Sequence, residues 1–122
     1  MRTGVDIVEV ARIEKILESR RESFYKKIFT NREIEYIEGK EHNSKTISGM
    51  FASKEAVSKL IGTGIGKIGW KDIEVLHDSK GRPYINMNSK IVGLLEQIDL
   101  KHIDISISHE KRYAISFAIG FK

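Results

Sequence analysis

The strongest constraint on the fold lies at the end of the chain. From His102 to His109 and from Tyr113 to Phe121, large apolar residues alternate with small or polar ones, and Glu110-Lys111-Arg112 separates the two runs. Period-two alternation gathers the large side chains of a strand on one side. Ile103, Ile105 and Ile107, with Ile115, Phe117, Ile119 and Phe121, therefore predict an antiparallel hairpin that buries one face. A lone hairpin is not stable in water, so further elements must cover it. Gly4–Val10 (GVDIVEV) reads as another strand, rich in β-branched residues. The longest helix candidate, Ser44–Ile61, carries Ile47, Met50, Phe51, Val57, Leu60 and Ile61, and Gly62 stands where a left-handed terminating glycine belongs. The expected class is α+β, an antiparallel sheet of hairpins with a long helix packed on it.

The intervening segments agree with that class. Ala11–Arg21 has Ile13, Ile16 and Leu17 at helical spacing, and Phe24, Ile28 and Phe29 continue the stripe. Thr30 followed by Glu33 fits a capping box opening a short helix that ends near Gly39. Asp72–His77 and Pro83–Met87 flank a turn at Asp78–Gly81 and predict a second hairpin, with a short helix over Ser89–Ile98 after it. No repeat or linker interrupts the 122 residues, so one domain over 1–122 is expected. No apolar run approaches the ~20 residues of a membrane span, and no signal-peptide h-region precedes the first strand. The absence of cysteine excludes disulfides, thiol catalysis and Cys-bound zinc, and is compatible with a reducing cytoplasm. A net charge of +4 suits an anionic partner. The basic residues form no stripe with interleaved aromatics, which argues against a nucleic-acid-binding domain.

Four places could carry chemistry. Asp6 shares a strand face with Gly4, Val8 and Val10. A carboxylate there must meet a cation or hydrogen-bond donors, or else face water. Glu55 and Lys59 lie four apart, the spacing of a solvated ion pair, yet their row begins at Phe51 beside the packed face. Between Gly62 and Gly69 a glycine-rich loop with Lys67 offers backbone amides to a phosphate, or merely links helix to strand. It follows a helix and precedes a strand, so Gly64-x-Gly66-x-x-Gly69 is no dinucleotide fingerprint, and the Walker pattern fails as well. His109 ends a strand at a tight turn, as a surface residue or as a ligand to an anion.

Taken together, Gly4-Val-Asp-Ile-Val-Glu-Val-Ala-Arg-Ile13, Phe51-Ala-Ser-Lys-Glu-Ala-Val-Ser-Lys59, Gly62-Thr-Gly-Ile-Gly66, Gly81-Arg-Pro-Tyr84 and Ile105-Ser-Ile-Ser-His109 resemble, in this order and over nearly the whole chain, the holo-(acyl-carrier-protein) synthases. These are the small, bacterial-type 4′-phosphopantetheinyl transferases. The resemblance implies their fold and an enzyme that moves phosphopantetheine from coenzyme A to a serine of acyl carrier protein, releasing adenosine 3′,5′-bisphosphate in support of fatty acid biosynthesis. It makes Asp6 and Glu55 the ligands of Mg²⁺ (or Mn²⁺) and Lys59 a general acid at the leaving phosphate. Lys54, Gly62, Thr63, Gly64 and His109 would line the coenzyme A site, with Pro83 near the adenine. Arg12 would receive the acidic carrier protein, and a homotrimer would form active sites at subunit interfaces. A water held by the metal or by a carboxylate such as Glu33 is a candidate for taking the serine proton. Two departures stand out: Met50 occupies a position where the family commonly has Arg, and Glu110 one where it often has a small hydroxyl residue. A nucleotide-binding module without turnover is the nearest rival reading.

Overall fold

The computed structural model describes residues 1–122. Its order is β1 (Arg2–Glu9), α1 (Val10–Ile28), α2 (Asn31–Gly39), α3 (Ser44–Ile61), β2 (Val75–His77), β3 (Pro83–Ile85), α4 (Ser89–Gln97), β4 (His102–His109) and β5 (Tyr113–Phe121). Strands β1, β5 and β4 form an antiparallel sheet in that order, and β2 pairs with β3 in a separate two-stranded ribbon. The second hairpin is shorter than the sequence pattern suggested, because Asp72 belongs to a 3-10 turn at Trp70–Asp72 rather than to a strand. Helix α1 runs past the expected Arg21 and kinks at Arg20, whose φ of −154° and ψ of 46° are not helical. The capping box on α2 forms as read: Glu33 N–H donates to the Thr30 hydroxyl, and the Thr30 amide donates to the Glu33 carboxylate.

Helix α3 lies across the sheet, and register decides what it meets. Gly4, Asp6 and Val8 of β1 stand opposite Ala118, Ser116 and Ala114 of β5. Ile103, Ile105 and Ile107 of β4 stand opposite Gly120, Ala118 and Ser116. Directly opposed residues share a sheet face, so the central strand turns only small side chains toward α3. The helix comes so close that a Cβ on Gly4 would overlap the Ala56 carbonyl oxygen and lie 2.9 Å from the Leu60 amide nitrogen. A Cβ on Gly49 would sit 2.7 Å from Ile107 Cγ2, and one on Gly120 2.8 Å from Leu100 Cδ1. The isoleucines of β4 supply the apolar surface on this side, and Ile105 is buried.

The expectation that Ile115 and Phe117 belong to the buried face is therefore corrected. They point away from α3 and, with Val5, Ile7 and Tyr113, leave an exposed apolar surface on the outer side of the sheet. The core continues from α3 into α1, α2, α4 and the β2–β3 ribbon through Ile13, Phe29, Ile37, Ile47, Ile73 and Leu95. No helix is long and apolar enough to cross a membrane.

Candidate active site

The close approach of β1 and α3 builds the site. Gly4, which has no side chain to hold the helix off, brings Asp6 alongside the Glu55–Lys59 turn. Lys59 Nζ donates to Asp6 Oδ1 at 3.0 Å and to the Val5 carbonyl at 3.1 Å. The local helix ion pair allowed by the four-residue spacing is not made. Lys59 bonds a carboxylate 53 positions away instead, leaving Glu55 without a salt-bridge partner. Burial pushes the Glu55 carboxyl above its ordinary value, and the negative charge of Asp6 pushes it further, against the pull of Lys59 and Arg12. Asp6, Glu55, Lys59 and Arg12 thus share one electrostatic neighbourhood.

Two carboxylates held close in a half-buried setting repel one another unless a cation lies between them. No group of three or more His, Cys, Asp or Glu side chains that could hold a metal ion gathers anywhere in the chain. An all-oxygen pair of this kind suits a hard divalent ion that completes its shell with phosphate oxygens and water. A lysine half in solvent beside it adds a mobile positive charge.

The other expected residues fall elsewhere. Pro83 and His109 line a cavity of about 190 Å³ together with Lys45, Met50 and His77, and none of Asp6, Glu55 or Lys59 borders it. Gly62 and Gly64 both adopt positive φ, 93° and 67°. Their amides turn back to the Ser58 carbonyl, at 3.0 and 3.4 Å, as the cap of α3. The Thr63 hydroxyl reaches only the Gly64 carbonyl. Within the single chain these amides close a helix and are not presented to a ligand. Arg2 adds to the same cap by donating to the Ile61 carbonyl at 3.2 Å, a role no sequence pattern signalled.

Lys54 departs most from expectation. Its side chain is fully buried and cannot line an open nucleotide site in this chain. Its ammonium donates to Glu33 Oε1 at 2.8 Å, the Trp70 carbonyl at 3.0 Å and the Ile73 carbonyl at 2.6 Å, which matches its three N–H bonds. Burial lowers the Lys54 ammonium and raises the Glu33 carboxyl, and each charge opposes the shift of the other. Glu33 also accepts from the Thr30 and Val75 amides. Both of its oxygens are used and it is sealed from solvent, so it is not the base that takes a serine proton. Of the two departures, Met50 is buried, while Glu110 caps the β4–β5 turn by accepting from the Arg112 and Tyr113 amides.

A groove of about 430 Å³ beside α1 carries Arg12, Arg20 and Lys27 over a floor that includes Phe24, Phe51 and Trp70, and no carboxylate lines it. Phe51 and Trp70 stack with centroids 4.9 Å apart. Neither aromatic was expected to contribute to a surface, since spacing alone cannot separate a groove wall from core.

An α3–sheet sandwich with a carboxylate pair and a lysine at its rim has the parts of a metal-assisted phosphoryl-transfer centre. Comparison with known proteins gives the class. Residues 2–118 match the family model of the 4′-phosphopantetheinyl transferase superfamily. Among curated proteins, the holo-[acyl-carrier-protein] synthase of Clostridium botulinum (strain Eklund 17B / Type B) is 47% identical over 116 residues, covering 95% of this chain and 93% of the relative. That of Thermoanaerobacter sp. (strain X514) is 44% identical over 117 residues, 96% and 84% of the two chains. The crystal structure of the Helicobacter pylori synthase in complex with coenzyme A superposes with a TM-score of 0.85 at 31% identity, covering 97% of this chain and 98% of that one. The chain belongs to the 4′-phosphopantetheinyl transferase superfamily, and within it to the holo-[acyl-carrier-protein] synthases.

Proposed function

We propose that Asp6, Glu55 and Lys59 carry out the family's reaction in this chain, with Mg²⁺ as the ion held by the two carboxylates. The reaction transfers the 4′-phosphopantetheine group of coenzyme A to a serine hydroxyl of apo acyl carrier protein, giving the holo protein and adenosine 3′,5′-bisphosphate for fatty acid biosynthesis. The serine oxygen forms a bond to the phosphorus carrying the pantetheine arm, the bond from that phosphorus to the nucleotide phosphate breaks, and the serine proton passes to water. Such a step needs little covalent help and much alignment and charge neutralisation. A bound hard cation supplies Lewis-acid stabilisation of the phosphate oxygens.

The protein supplies the rest. Asp6 and Glu55 would hold the cation that such an anionic bridge requires. Lys59 reaches the rim from α3 and offers charge and a proton to the departing phosphate. The observation that carries this reading is the juxtaposition of Asp6 and Glu55, seen in the effect of one charge on the other, with Lys59 bonded to Asp6. The basic, carboxylate-free groove at Arg12 suits an acidic carrier protein.

We also read the 122 residues as one domain acting in the cytoplasm as a homotrimer. Two observations support the trimer. The outer sheet face exposes Val5, Ile7, Ile115 and Phe117 at 41–60% of their surface, and an apolar face of that kind favours association. The cavity of Pro83 and His109 is also separate from the carboxylate pair, as expected if one subunit's cavity completes its neighbour's centre. Incubation with coenzyme A and apo carrier protein tests the whole reading. The carrier's mass rises by one phosphopantetheine group, chelation of divalent ions abolishes the rise, and Asp6→Ala with Glu55→Ala removes it. Full turnover by the double variant at millimolar Mg²⁺ sinks the assignment.

A further inference from the structure

Helix α3 holds the 3-10 turn at Trp70–Asp72 from two neighbouring positions. Phe51 stacks on the Trp70 ring, with centroids 4.9 Å apart and planes 25° from parallel. One helical turn on, the buried Lys54 ammonium donates to the Trp70 carbonyl at 3.0 Å and to the Ile73 carbonyl at 2.6 Å, so it ties down both ends of the turn. Residues three apart on a helix are neighbours on its surface, which lets both grips act on one short segment. The remaining hydrogen bonds of the turn come from elsewhere. The Gly69 amide donates to Asp72 Oδ2 at 2.9 Å, and Asn88 Nδ2 donates to the Asp72 carbonyl at 2.9 Å from the start of α4.

Trp70 is half-buried, and its indole forms part of the groove floor with Phe24 and Phe51 under Arg12, Arg20 and Lys27. Hydrogen bonds from an ammonium are stronger than neutral ones, and burial removes the water that would compete for the carbonyls. Glu33 holds the ammonium in place, and the Thr30 and Val75 amides hold Glu33. A buried charge is thereby aimed at the backbone of a turn whose tryptophan reaches the groove.

We infer that Lys54 is a positioning residue for the carrier-protein step: through the Trp70 carbonyl it fixes the indole in the groove, and Glu33 in turn fixes Lys54. The inference rests on the proposed reading of that groove as the surface that receives the carrier. Loss of the ammonium then weakens recognition of the carrier and leaves the handling of coenzyme A untouched, a split that general loosening of the core does not produce.

The chain has one tryptophan, so its fluorescence reports on this turn alone. Lys54→Met combined with Glu33→Gln removes both charges and strands neither. Lys54→Gln combined with Glu33→Gln, whose shorter amide cannot reach both carbonyls, takes its place if the first pair does not fold. In the paired variant, acrylamide quenching of Trp70 rises. Its KM for apo carrier protein rises about tenfold, the size of a weakened aromatic anchor at an interface, while KM for coenzyme A and kcat at saturating carrier stay as in the original chain. Trp70→Ala gives the same kinetic pattern, and Glu33→Gln alone, which leaves the ammonium on both carbonyls, changes neither reading. Unchanged quenching in the paired variant overturns the inference. So does a KM rise shared by carrier and coenzyme A, or a carrier KM that responds to Trp70→Ala but not to the paired variant. If quenching rises yet neither Trp70→Ala nor Arg12→Glu alters the carrier KM, the reading of the groove falls and the anchoring of Trp70 by Lys54 stands.

Discussion

Replacing Lys54 by Met removes a charge from the interior while keeping most of the buried stem, and its consequence follows from the contacts. The ammonium meets Glu33 and the carbonyls of Trp70 and Ile73 at full burial. Without it, the Glu33 carboxylate keeps only the Thr30 and Val75 amides inside the core. Removing one partner of a buried pair costs about 3–5 kcal/mol. That is a large share of the ~5–15 kcal/mol typical of a domain. At roughly 4 °C per kcal/mol for a chain of this length, thermal unfolding drops by about 12–20 °C.

The sign of the pH dependence is fixed as well. Burial already raises Glu33, and the Lys54 charge is what restrains it. In Lys54→Met the carboxyl rises further, so the folded state holds a proton more tightly than the unfolded one. The penalty is then full at pH 8 and relieved as pH falls through the raised value. Adding Glu33→Gln removes the stranded charge and recovers much of the loss. Urea unfolding followed by circular dichroism at pH 8 and pH 5, on the two single variants and the double, measures all of this. A Lys54→Met cost under about 1 kcal/mol, a cost independent of pH, or strict additivity of the two substitutions would refute the argument. The folded variant should keep its KM for coenzyme A, because Lys54 reaches no ligand-accessible surface.

Gly4→Ala should destabilise the fold by about 1–3 kcal/mol and distort the site, since its methyl would strike the α3 backbone at Ala56 and Leu60; chemical denaturation reads the first effect and metal-dependent activity the second. Lys59→Ala is expected to lower kcat more than it raises KM, by about 10²–10⁴-fold for a lost acid catalyst, with only a small effect on unfolding because the Lys59 side chain is half in solvent. An effect confined to KM would argue against its role in bond breaking. Arg12→Glu should weaken carrier-protein association and abolish its acceleration at low salt, with coenzyme A affinity intact; stopped-flow association at two ionic strengths decides it.

Much of this protein was written locally. The Thr30–Glu33 cap, the end of α3 at Gly62 and the paired terminal strands each depend on a few adjacent residues, and each formed where its pattern lay. Local periodicity could not say which side of β5 faces α3. Alternation defines two faces without ranking them, and the rule that large residues go inside misled here. The ranking came from close approach: Gly4, Gly49 and Gly120 let α3 descend onto the sheet, and only Ala114, Ser116, Ala118 and Gly120 leave room beneath it.

The site divides the same way. For Asp6, Glu55 and Lys59 the residues alone left a solvated Glu55–Lys59 pair as the simpler reading, and cation and phosphate roles came only from the resemblance of the joined motifs. Their partners in space were not legible. Lys59 passes over Glu55, four residues away, to reach Asp6 on another element, and Lys54, adjacent in sequence to Glu55, points into the core to hold Glu33. Helix rotation sends neighbouring side chains in directions about 100° apart, and only the packing of α3 between the sheet and α1 decides which direction meets water, which a carboxylate, and which the interior.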